Sequence, residues 1–209
     1  ACRDEIAKYR YDGMFTPPAL NKHTIEYPGV AGGQNWGGLA YDRNDNLLIM
    51  PQNYVVAYNE LVLREQVPLA SQDSEHTDYS PNLGTPYVVK HEILLSPFGV
   101  PCVAPPWGTL LAVSLDTGKI SWEVPFGTPR DMVSAMSWFP FFPTMGLPSA
   151  GGPIVTDSGL VFVGAALDNY IRAFDARTGA ELWRHRLPAG GQATPMTYRG
   201  QSSGRQFVV

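Results

Sequence analysis

The chain is 209 residues long, with 44% hydrophobic residues, 16% charged residues and a net charge of -4. That hydrophobic share supplies a core and excludes intrinsic disorder, and the acidic balance leaves no electrostatic footprint for nucleic acid or an anionic membrane. Glycine (21) and proline (19) make up about a fifth of the residues, against a usual share of about 12%, which argues for strands and turns over a helical bundle.

Ala1-Cys2-Arg3-Asp4-Glu5 lacks the basic stretch and apolar run of a secretory signal, so this end reads as mature or cut. Residues 1–31 are an N-terminal segment leading into a first repeat unit, residues 32–125. That unit opens at Gly32-Gly33, and its first two strands, Leu39 to Asp42 and Leu47 to Met50, flank the turn Asn44-Asp45-Asn46. From about Gln52 to Trp107 the pattern is interrupted by a long insertion. Within it Asp73, Glu75, His76 and Asp78 form an acidic cluster. One reading is a divalent-cation site, but the Ser-rich, turn-rich context favours a solvated loop. The unit resumes with strands at Leu110 to Leu115 and Ile120 to Pro125.

Met132 to Pro148 is the most apolar stretch, yet Pro140, Pro143, Gly146 and Pro148 interrupt it. It cannot form the helix of about 20 residues that a membrane span requires. It reads as core between repeat units, with a contact to a partner molecule or a membrane surface through Phe141 and Phe142 as the sharper alternative. A second unit, residues 126–187, has four strands at Pro153 to Thr156, Leu160 to Ala165, Tyr170 to Asp175 and Glu181 to Arg186. Its short polar turns make it an antiparallel meander. A third unit, residues 188–209, starts at Gly190-Gly191 and stops at Val209.

Ala112 to Trp122 reads AVSLDTGKISW, and 61 residues on Ala173 to Trp183 reads AFDARTGAELW. Ala, Thr, Gly and Trp hold the same offsets. In each copy a Thr-Gly turn, with glycine free to take a positive φ, joins two short strands. Four-stranded meanders repeated in this way are blades of a β-propeller, where stacking buries both faces of each sheet. The expected fold is all-β: a partial propeller of two blades and the start of a third, whose ends look like cuts through a larger protein. Trp122 and Trp183 are expected to pack between blades as core.

No nucleophile elbow, P-loop, dinucleotide fingerprint or zinc-protease motif occurs. The histidines His23, His76, His91 and His185 have no metal-ligand spacing. Asn53 and the pair Asp168-Asn169 remain, each just after a candidate second strand, where propellers bind ligands at the mouth of their channel. Asx turns, in which the side chain bonds its own backbone, account for them equally well. Cys2 and Cys102 fit either one disulfide or two buried thiols.

Several segments carry a family pattern: Phe15-Thr16-Pro17-Pro18, Asn35-Trp36-Gly37-Gly38, Leu95 to Cys102, Gly127-Thr128-Pro129, Ala166 to Tyr170, and the twelve residues Leu187 to Tyr198. Together they resemble the C-terminal part of the membrane-bound quinoprotein glucose dehydrogenases. The resemblance implies an eight-bladed periplasmic propeller, anchored in the inner membrane through a region outside this chain. It would hold pyrroloquinoline quinone (PQQ) with a calcium or magnesium ion, oxidise glucose or another aldose to its lactone and reduce ubiquinone. The family's catalytic Asp, metal ligands and cofactor-polarising Lys belong to earlier blades. This chain is therefore expected to contribute no catalytic or metal residue, to be inactive alone and to bind no cofactor tightly alone. Asn53 and Asp168 match positions close to the cofactor, Gly127 matches a backbone turn, and the contexts of Cys2 and Cys102 imply a structural disulfide. Ser114 departs from the repeat, where Asp175 stands in the second copy, and the insertion around Ser71 to Tyr79 has no counterpart. Expected partners are the remaining blades of the same polypeptide and, through exposed blade faces, a second copy of the chain. The alternative class is a non-catalytic periplasmic propeller scaffold, which has no need of the run from Pro188 to Thr197.

Overall fold

The structure is a computed structural model that describes residues 2–67, 77–131 and 145–209. In chain order it contains α1 (Cys2–Ile6), β1 (Thr24–Glu26), β2 (Ala40–Asp42), β3 (Leu47–Asn53), β4 (Ala57–Leu63), β5 (Thr77–Pro81), β6 (Tyr87–Ile93) and β7 (Gly108–Ser114). There follow β8 (Lys119–Pro125), β9 (Ile154–Val155), β10 (Leu160–Val163), β11 (Tyr170–Asp175), β12 (Glu181–Arg186), β13 (Thr197–Arg199) and β14 (Gln206–Val208). The described strands form four-stranded sheets in the orders β1-β4-β6-β5, β2-β3-β7-β8 and β9-β10-β11-β12, and a hairpin β13-β14. All these pairings are antiparallel. The side chains of the acidic cluster, Asp73, Glu75, His76 and Asp78, and those of Phe141 and Phe142 lie outside the described residues.

The chain divides into two compact units, residues 1–32 with 54–104, and residues 33–53 with 105–209. In the first unit, strands β4, β5 and β6 come from the stretch that the sequence marks as an insertion, and β1 comes from the N-terminal segment. Five-residue α1 is too short to be stable alone and is tied down by a disulfide between Cys2 and Cys102. By the chain-entropy argument, a cross-link closing about 100 residues is worth about 4–5 kcal/mol. Cys2, Ile6 and Tyr9 pack on a core of Val56, Tyr58, Leu94 and Cys102. The Tyr9, His23 and Tyr58 rings meet with centroids 4.5 to 5.0 Å apart. Tyr58 donates its hydroxyl to Glu92, and burial pushes the Glu92 carboxyl above its ordinary pKa.

Two sheets of the second unit share one core. Leu47, Ile49, Leu110, Ala112, Trp122 and Phe126 from the first sheet meet Val161, Val163, Ala165, Ala166, Phe174 and Ala176 from the second. The repeat extends to backbone detail. Each sheet has a register shift at its third strand, between Ala112 and Val113 and between Ala173 and Phe174. Gly118 and Gly179 take φ of 66° and 70° in the Thr-Gly turns, as left-handed turns require. Asp175 accepts hydrogen bonds from the Arg177 and Thr178 amides and the Thr178 hydroxyl, and those to Thr178 hold its carboxyl below its ordinary pKa. Ser114 does a lesser version of this work, accepting only from the Thr117 amide at 3.3 Å.

Trp122 is buried between these two sheets. Its Nε1 donates to the Ala176 carbonyl at 2.8 Å, and a β-carbon on Gly179 would collide with its indole. The second blade's turn therefore caps the first blade's Trp. Trp183 does not repeat the arrangement and corrects the expectation for it: it is 49% exposed, with His185 stacked on it at 6.0 Å. It lies on β12, where every residue is exposed, whereas the equivalent strand β8 has a sheet against it. Trp122→Ala should cost about 3–5 kcal/mol of stability, and Trp183→Ala about 1 kcal/mol or less. Urea unfolding of both variants checks this, and equal losses would contradict the packing described.

Candidate functional site

Asn53 ends β3, opposite Gly108, and is 1% exposed. Its backbone amide donates to the Gly33 carbonyl at 2.6 Å. Its side chain takes up the backbone of Ser149 as a strand would. Oδ1 accepts the Ser149 amide at 2.8 Å and its hydroxyl at 3.4 Å, while Nδ2 donates to the Ser149 carbonyl at 3.1 Å. A carboxamide carries two N–H donors, so Asn53 keeps one that Ser149 does not use. The segment around Ser149 is strapped down along its length. Leu147 donates to the Phe126 carbonyl, Leu167 to the Pro148 carbonyl and Ala150 to the Ala165 carbonyl. A β-carbon on Gly108 or Gly146 would collide with facing backbone, so only glycine permits so close a path.

Asp168 lies just before β11 and is buried with Arg172 in a two-pronged ion pair. Arg172 Nη1 meets Oδ1 at 3.0 Å and Nη2 meets Oδ2 at 2.5 Å, and both side chains are at most 1% exposed. Oδ2 also accepts the Thr128 amide at 2.9 Å, and Oδ1 the Tyr170 amide at 3.2 Å. Four donors thus occupy one carboxylate, and the Asx-turn reading describes only the Tyr170 bond. Gly127, with φ of 96° and no room for a β-carbon beside Ala166 and Leu147, makes the turn that brings Thr128 to it. Asn53 and Asp168 serve adjoining backbone: Ser149 is bridged to Ala166, two residues before Asp168.

The run Leu187 to Tyr198 contributes a third tie. Thr194 Oγ1 accepts the Gly152 amide at 3.0 Å and donates to the Gly37 carbonyl at 3.1 Å. Glycines at 37, 151 and 152 let these backbones touch. The segments that open the three repeat units are thereby joined at one place. The sequence pattern points to Asn53 and Asp168 but not to Ser149, Thr128, Thr194 or Arg172. Only Arg172 leaves a signal there, as a lone cation within the apolar alternation of Tyr170 to Phe174.

Among the described residues no group of three His, Cys, Asp or Glu could hold a metal ion. No helix among them is long and apolar enough to cross a membrane. A cavity of about 590 Å³, lined by residues that include Tyr9, Arg10, Lys22 and His23, lies in the first unit and shares no residue with this site.

Stacked four-stranded meanders with an internal Trp, joined where their first strands begin, define a section of a β-propeller. Residues 1–208 match the family described as "PQQ: Glucose/ethanol/alcohol dehydrogenase, beta-propeller domain", and the chain belongs to that family. It is 39% identical, over its whole length, to a quinoprotein glucose dehydrogenase of Escherichia coli. It is 35% identical to a quinate/shikimate dehydrogenase (quinone) of Acinetobacter baylyi and 37% identical to the glycerol dehydrogenase large subunit of Gluconobacter thailandicus. It spans only 26% to 30% of the length of these relatives. In fold it is similar to a europium-containing methanol dehydrogenase, with a TM-score of 0.60 at 22% identity, covering 90% of this chain and 26% of that one. The quinohemoprotein alcohol dehydrogenase of Comamonas testosteroni gives a TM-score of 0.56 at 23% identity, covering 90% of this chain and 23% of that one.

Both clamps are open to mutation. Asp168→Ala leaves a buried guanidinium unpaired and should cost about 3–5 kcal/mol, and Asn53→Ala about 1–3 kcal/mol. Chemical denaturation measures both, and a loss below about 1 kcal/mol for Asp168→Ala would show that the pair does not hold the loop.

Proposed function

We propose that this chain is the part of a PQQ-dependent aldose dehydrogenase that builds one side of the cofactor pocket, in an enzyme that oxidises glucose or a related sugar to its lactone and passes electrons to ubiquinone. The observation that carries the reading is the pair of buried clamps. In a chain of the PQQ propeller family, Asn53 and Asp168 hold two adjoining loops rigid where the blades' first strands begin. PQQ, when bound, supplies an ortho-quinone that takes two electrons from the substrate, with a metal cation as Lewis acid.

The residues present fit the two groups unequally. The remaining side-chain N–H of Asn53 suits an acceptor oxygen of a quinone or carboxylate, so Asn53 is the residue of this chain that would touch the cofactor. The four donors on Asp168 leave it no role as a metal ligand, and its contribution to cofactor binding is to hold Thr128 and the Gly127 turn. The calcium or magnesium ion would take its ligands from other blades, as would the proton transfer from the sugar. In this reading the enzyme is periplasmic and membrane-anchored outside this chain. The exposed face of β12 is where further blades, or a second copy of the chain, would pack.

The aldose assignment rests on the run Leu187 to Tyr198, whose resemblance is to glucose dehydrogenases, set against relatives named for quinate and glycerol. The chain alone, given PQQ and calcium, should reduce no dye with glucose. A complete polypeptide that includes this sequence should turn over glucose faster than quinate or glycerol. Faster turnover of quinate would overturn the aldose assignment, and turnover by the chain alone would overturn the division of labour between blades.

A further inference from the structure

Arg172 is the least expected side chain in the second unit, a cation only 1% exposed within a strand. Its guanidinium carbon sits 5.6 Å from the Phe126 ring centroid and 5.3 Å from that of Tyr170. Its Nε faces Glu181 of β12 at 3.4 Å, while Nη1 and Nη2 grip Asp168. It therefore touches the loop of residues 126–128 twice, directly at Phe126 and through the Asp168 carboxylate at the Thr128 amide. Burial of an ion pair is a poor way to add stability, because desolvation offsets most of the attraction. Fixing a geometry is a better account of its placement.

We propose that Arg172 is a positioning residue for the cofactor pocket: it orients the Asp168 carboxylate so that Oδ2 captures the Thr128 amide and holds the Gly127-Thr128-Pro129 turn in place. The inference rests on the PQQ reading above for its functional meaning, but not for its geometry. Arginine is required because its planar fork sets the rotation of a carboxylate through two parallel hydrogen bonds while its faces stack on aromatic rings. A lysine keeps the charge but concentrates its rotatable donors on one nitrogen, without a planar fork to set the carboxylate's rotation, which leaves the carboxylate free to turn away from Thr128.

The test is Arg172→Lys, read in two ways. In this chain, amide hydrogen exchange at Thr128 should speed up by about tenfold or more, the scale expected when a hydrogen bond to a charged acceptor is lost, while exchange at Ser149, held by Asn53, stays at the wild-type rate. If Arg172→Lys does not fold, Arg172→Gln provides the same readout, since its single NH2 group lacks the two-pronged fork that sets the carboxylate. In the complete polypeptide, Arg172→Lys should weaken PQQ binding by about tenfold and leave the KM for the sugar unchanged. Wild-type exchange at Thr128 in a folded variant would overturn the positioning role, as would a parallel rise at Ser149, which marks general loosening. Accelerated Thr128 exchange with unaltered PQQ affinity would overturn the link to the cofactor. A complete wild-type polypeptide that binds no PQQ would instead overturn the functional reading itself, with the exchange result left intact.

Discussion

A four-stranded antiparallel sheet has two faces, and in this chain the second unit buries one of them by laying one meander on the next. Everything else in that unit follows from the stacking. It turns Leu47, Ile49, Leu110 and Ala112 toward Val161, Val163 and Phe174 in a common core. It places the Trp122 indole over the next Thr-Gly turn, where Ala176 supplies the acceptor for its N–H and Gly179 must lack a β-carbon. Fully burying one large side chain is worth about 1.5–3 kcal/mol, and satisfying the indole nitrogen avoids the penalty that an unpaired buried donor would exact. The exposure of Trp183 on β12 is the same rule seen where no sheet is stacked.

The stacking also sets the chemistry within reach. At the ends where the first strands begin, backbones approach so closely that glycine is needed at positions 37, 108, 146 and 152. Polar side chains then take over the work of strand pairing: Asn53 for Ser149, Asp168 for Thr128 and Thr194 for Gly37 and Gly152. Such buried polar groups cost free energy unless every donor and acceptor is used. Asp168 meets that condition fully, and Asn53 meets it except for one N–H that Ser149 does not take up. In the proposed reading, that difference separates a residue that holds its neighbouring loop from one that would face a ligand.

Much of the second unit is legible in the amino-acid sequence. The Ala, Thr, Gly and Trp positions repeat because each has a local physical cause, and the turn chemistry alone locates the hairpins of residues 110–125 and 170–186. The first unit is not legible in this way. Its β1 and β4 pair residues 24–26 with residues 57–59, its α1 is held by a cysteine 100 positions away, and no repeat marks either. The site is legible in part. Asn53 and Asp168 stand at strand ends where polar residues invite attention, but the partners Ser149 and Thr128 act chiefly through their backbone, which no side-chain pattern announces. Arg172 is hidden because its charge is answered by a residue four positions earlier and by Glu181 across the sheet, pairings that only strand geometry creates.

The central claim is that Asn53 and Asp168 act on one continuous platform, linked through Phe126, Leu147, Ser149 and Ala166. A double-mutant cycle in urea unfolding, using Asn53→Ala, Asp168→Asn and the pair, tests it most directly. Residues in one hydrogen-bonded network couple by about 0.5–3 kcal/mol, whereas independent sites add within about 0.5 kcal/mol. The account predicts coupling of about 1 kcal/mol or more, and strict additivity would contradict it.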